Sequence, residues 1–144
     1  MKGFFYLLLS FLCLLSGSVI YILYTPSVFF IRATFSLSTL FTLQENLRWI
    51  KYIFSDTAFI RYHLSDILWY QSLLFMIIYI YHIKKIFHAG VVYYFAISLP
   101  FVFEILQLVR LIPGTFDWWD IFFYLILLFL NYFIYIGKKK PNEK

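Results

Sequence analysis

From Gly3 to Tyr24 the chain carries no charged residue. An apolar run of about 20 residues, rising about 1.5 Å per residue as a helix, matches the roughly 30 Å hydrocarbon thickness of a bilayer. The first property the sequence constrains is therefore the solvent in which it folds. Three further apolar stretches follow. Of the 144 residues, 63% are hydrophobic and only 13% charged, and the mean hydropathy of +0.83 lies outside the range of soluble globular domains. The chain reads as all-α, a polytopic membrane helix bundle of about four transmembrane helices, with residues 1–144 forming a single membrane domain.

The helices are expected at about 3–24, 66–81, 89–112 and 117–136. Pro26 follows the first, Ser65 is placed to cap the second, and Pro113-Gly114 to stop the third. Lys2 ahead of Phe4 to Ser16 resembles a signal peptide, but the apolar run continues through Tyr24, which favours a retained helix. Residues 27–65 alternate apolar with hydroxyl side chains and then mix Arg48, Trp49, Lys51 and Phe59. That pattern suits an interfacial or re-entrant segment, and a fifth crossing within it stays open.

Orientation follows from the basic residues. With four spans, Lys2, Lys84, Lys85 and the tail from Lys138 fall on one side, and the bias of short loops makes that side cytoplasmic, with both termini inside. The net charge of +5 sits mostly in clusters beside apolar runs. Membrane lipids are thus the expected partners, and nucleic acid is not. Cys13 is the sole cysteine, which excludes an intramolecular disulfide and a cysteine-based metal site.

Four spans bring the start of the second helix, the end of the third and the start of the fourth to one outer face. Asp66, Glu104, Gln107, Arg110, Asp117 and Asp120 can share that face. Ionisable groups are expensive in lipid, so the grouping is the best pointer to function. A third helix running to 112 puts Glu104 about 13 Å below Pro113 and makes Gln107 and Arg110 successive rungs above it. Glu104 is the candidate catalytic acid/base; Asp66, Gln107, Arg110, Asp117 and Asp120 are the candidate pocket residues. Asp66 and Asp117 read equally well as carboxylates complementing a helix N-terminus, and Glu104 with Gln107 as an interhelical clasp. Trp69, Tyr70, Trp118 and Trp119 suit interfacial belts. His63, His82 and His88 form no metal-ligand pattern, so no metal site is expected, and no cofactor motif occurs.

The Glu104-x-x-Gln107 pair, Arg110, the Pro-Gly turn, and Phe116-Asp117 followed by Asp120 resemble the VanZ-like family of small bacterial membrane proteins. That family has a Glu-x-x-Gln pair ending one helix and an Asp-x-x-Asp-type pair opening the next. Asp66, in Leu64-Ser65-Asp66-Ile67-Leu68-Trp69-Tyr70, is similar to the aspartate opening its preceding helix. The resemblance covers about residues 60–136 and departs at Tyr124, where the family often has Asn. It implies a bacterial cell-envelope setting and a link to glycopeptide-antibiotic resistance, notably to teicoplanin. The expected function is an outward-facing polar pocket in the cytoplasmic membrane that binds an envelope lipid headgroup or glycan precursor. The alternative is a non-catalytic small subunit or partner of a larger membrane protein.

Overall fold

The computed structural model describes residues 2–24, 36–53, 57–83 and 89–136, and these are all-helical. The helices are α1 (Lys2–Tyr24), α2 (Leu37–Asn46), α3 (Arg48–Ile53), α4 (Ala58–Tyr62), α5 (Leu64–Ile83), α6 (Ala89–Leu108) and α7 (Trp118–Ile136). Pro26, Arg32, the Lys84-Lys85 turn, His88 and the lysine tail lie outside the described residues. Among the described residues one helix, α1, is long and apolar enough to cross a membrane; shorter apolar stretches run Leu64–Ile80, Tyr94–Leu108 and Trp118–Phe133.

Small residues set the tightest contact. On α1 the buried positions Tyr6, Ser10, Gly17 and Ile20 form a stripe at alternating three- and four-residue steps through half-buried Cys13. Ser10 Oγ donates to the Ser72 carbonyl at 2.9 Å, and a Cβ built on Gly17 would stand 3.1 Å from the Ser65 carbonyl. Seven residues forward on α1 match seven residues back on α5, so the two helices are antiparallel. Without side chains in the way, their backbones approach closely, as at small-residue contacts between membrane helices. Trp69 lies over Gly17 and donates its indole N–H to Ser18 Oγ at 3.3 Å.

Helices α4, α6 and α7 also pack on α5. Tyr70, Leu74 and Tyr124 form a buried core joined by Ile97, Phe101 and Leu127. Tyr70 is therefore a core residue, whereas its place near the helix start suggests an interfacial belt. Packing wins here because its hydroxyl finds the Ile97 carbonyl at 3.3 Å. Farther along, Gln71 and Asn131 exchange amide hydrogen bonds at 3.2 and 3.0 Å. Since His63 meets Asp120 and Gln71 meets Asn131, α5 and α7 run parallel, with α6 antiparallel between them in sequence.

Two helix ends differ from expectation. The second long helix starts at Leu64, not after a Ser65 cap: His63 closes α4 with its N–H on the Phe59 carbonyl and opens α5 by accepting from Ile67 N–H, both at 3.0 Å. Ser65 is instead a buried first-turn residue of α5. The third stops at Leu108, four residues short of Ile112. Arg110 takes φ +60°, its N–H bonds the Gln107 carbonyl, and Leu111 N–H bonds the Leu106 carbonyl, each at 2.9 Å. These two bonds make the Schellman closure, in which the left-handed position usually belongs to glycine. Arg110→Gly is expected to raise stability by about 0.5–1 kcal/mol, because the left-handed conformation costs a side-chain-bearing residue about that much or more. Equilibrium unfolding in detergent measures it.

Candidate functional site

The 108–117 connection carries the chain from α6 into α7, and its geometry depends on Gly114. At φ +141° this residue occupies a region that side-chain-bearing residues rarely enter. An added Cβ would also meet Gln107 Nε2 at 2.5 Å and Cδ at 2.7 Å. Gln107 is thus half-buried against the turn. Gly114→Ala is expected to destabilise by about 1–3 kcal/mol, read as a lower melting temperature, since backbone strain and the Gln107 contact act together.

Beyond the turn, Asp117 is the N-cap of α7: its Oδ1 accepts from Trp119 N–H at 2.8 Å. Its own N–H donates to Glu104 Oε2 at 3.2 Å. In a capping box the residue three after the cap reaches back to the cap's N–H. Here that residue is Asp120, which turns elsewhere, and Glu104 supplies the acceptor from the neighbouring helix. Glu104 is 5% exposed and sits only one turn from the end of α6, about 6 Å along the axis. The 13 Å depth expected from a helix ending at 112 is corrected accordingly. A carboxylate near the C-terminus of its own helix is unfavourable, and the N-terminus of α7 offsets it.

Asp120, 6% exposed, accepts a hydrogen bond from His63 Nδ1–H at 2.7 Å. A carboxylate on one ring nitrogen fixes the tautomer and leaves the other, Nε2, as the available lone pair. That Nε2 stands 4.0 Å from Asp117 Oδ2. Phe59 and Phe123 flank the imidazole with centroids at 5.9 and 6.0 Å, which shields the pair from solvent and strengthens it. Asp66, on the first turn of α5, lies within electrostatic reach of Asp120, Glu104 and His63. Tyr124, one turn beyond Asp120 on α7, is 5% exposed and within reach of the same three carboxylates.

The structure thus gathers Asp66, Glu104, Asp117 and Asp120 at one end of the bundle. Gln107 covers the turn beside them. Arg110 is exposed beyond the end of α6, and the rung it was expected to add above Gln107 does not exist, because the helix has already closed. Two residues that sequence reasoning did not place in the site, His63 and Tyr124, belong to the same end. The hint for His63 was its position three residues before Asp66; nothing local pointed to Asp120, 57 positions away. One donor atom each from His63, Asp117 and Asp120 lies within 4.8 Å of the others, close enough for a metal ion to draw them together. A separate surface concavity of about 470 Å³, lined by Phe41, Thr42, Gln44, Glu45 and Arg48, shares no residue with this cluster.

No family model, curated protein or solved structure matches this chain.

Proposed function

We propose that the chain is a VanZ-like, multi-span protein of a bacterial cytoplasmic membrane, with both termini inside, whose acidic site takes a cationic group at the outer surface. The group belongs to an envelope component, either a lipid headgroup amine or an amine-bearing glycan precursor. Two features support the membrane part. The bundle exposes large apolar side chains and buries polar ones beside its apolar core: Phe11, Leu15, Phe95, Ile105, Phe122 and Phe129 are exposed, while Ser10, Ser72, Glu104, Asp120 and Asn131 are buried. In addition, α1 is long and apolar enough to cross a membrane, and α5, α6 and α7 carry the apolar stretches Leu64–Ile80, Tyr94–Leu108 and Trp118–Phe133, about 23–26 Å each.

The observation that carries the functional part is the charge balance of the site. Four carboxylates from three helices converge, and their ion pairs among the described residues are with His63. Such a cluster attracts positive charge and repels phosphate, so Arg110, lying outside it, is the weaker part of the expected pocket.

Expression of the parent and of Asp120→Asn in a teicoplanin-sensitive bacterium tests the reading. The parent should lower susceptibility to teicoplanin and Asp120→Asn should not, at equal membrane abundance. A folded Asp120→Asn protein that protects as well as the parent would sink the proposal.

A further inference from the structure

We propose that His63, Asp117 and Asp120 bind a divalent metal ion of the zinc or manganese class at the mouth of the acidic site. The inference rests on the same acidic site and goes beyond the envelope reading given above, by placing a metal ion at that site in addition to the envelope component.

The geometry comes first. Three donors of the right kinds, an imidazole nitrogen and two carboxylate oxygens, lie within 4.8 Å of one another. Ligand atoms about 2.0–2.2 Å from a common ion stand about 3–3.5 Å apart, so modest side-chain rotations complete the site. The three donors sit on fixed backbone: His63 joins α4 to α5, Asp117 caps α7, and Asp120 lies on its first turn.

The surroundings also favour a cation. Asp66 and Glu104 add two further carboxylates within electrostatic reach of Asp120, and Tyr124, 5% exposed, lies within reach of all three. An ion beside Asp120 neutralises this excess of negative charge.

The mixed donor set selects the ion. One imidazole with two carboxylates favours Zn²⁺ or Mn²⁺, whereas Mg²⁺ and Ca²⁺ prefer oxygen alone. Three protein donors leave positions open for water or for an anionic oxygen of an incoming headgroup.

The test uses the full chain, purified in detergent without a polyhistidine tag, stripped with chelator and titrated with Zn²⁺, Mn²⁺ and Mg²⁺ by calorimetry. One Zn²⁺ or Mn²⁺ per chain is expected. Asp117→Asn should weaken it about tenfold or more while keeping the parent's melting temperature, because Asn caps a helix as well as Asp. His63→Gln should abolish stoichiometric binding. Absence of binding by the folded parent, equal binding by both variants, or tighter Mg²⁺ than Zn²⁺ binding would each overturn the site. The teicoplanin assay separates this inference from the broader reading. Dependence on Asp120 without metal binding removes the ion alone, whereas a metal-binding chain indifferent to Asp120→Asn removes the envelope function and leaves the site.

Discussion

A leucine at Gly17 is expected to cause the largest loss of stability of any single substitution in α1, about 3 kcal/mol or more, with Gly17→Ala costing about 1–3 kcal/mol. The reason is the space available. Even a Cβ at this position would stand 2.7 Å from Trp69 Cδ1, 2.9 Å from its Nε1 and 3.1 Å from the Ser65 carbonyl oxygen. The indole can swing away, but only by giving up its bond to Ser18 and its contact with Tyr21 at 4.9 Å. The carbonyl cannot move without moving α5. Leucine must therefore push the helices apart, which also strains the Ser10–Ser72 bonds seven residues away. Thermal unfolding in detergent, followed by circular dichroism, gives the ranking parent, Gly17→Ala, Gly17→Leu. Trp69→Ala in the Gly17→Ala background should recover part of the loss, since it removes the movable half of the clash. If Gly17→Leu melts with the parent, the close approach of α1 and α5 is wrong.

That interface also illustrates how much of the fold was legible. Runs of apolar residues located the long helices because burial in lipid or core needs no partner-specific information. Helix ends were harder. Pro113-Gly114 is a strong stop signal, yet α6 closes at Leu108 because Arg110 adopts a left-handed conformation that its residue type does not announce. The consequence reached the site: the supposed ladder of Glu104, Gln107 and Arg110 ended at Gln107. The Ser10, Gly17, Ser65 and Ser72 positions follow a seven-residue step in both helices, but only their pairing across 48 to 62 positions gives that step meaning. The partner of His63 was hidden for the same reason. A histidine shows its role through what it touches, and Asp120 comes from another helix.

Glu104 tests whether a buried carboxylate of the site is there for its hydrogen bond or for its charge. Glu104→Gln is expected to unfold within about 1 kcal/mol of the parent, whereas Glu104→Ala should be destabilised by about 1–3 kcal/mol, and Glu104→Leu should not recover that loss. The Gln side chain keeps a carbonyl oxygen that can accept from Asp117 N–H, now supplied by Glu104 Oε2 at 3.2 Å. Losing the negative charge weakens the interaction with the α7 N-terminus but relieves repulsion from Asp117 and Asp120, so the two effects offset. Alanine leaves the Asp117 N–H without its acceptor in a position too enclosed for water to replace it fully. Leucine restores volume and lipophilicity without restoring the acceptor. If burial alone mattered, Leu would be the most stable of the three; if charge alone mattered, Gln and Ala would fall together. Only the hydrogen-bond account places Gln near the parent with both apolar variants below it. Glu104→Gln is then the folded background in which a drop in cation binding reports the carboxylate's charge, separate from its part in closing the turn.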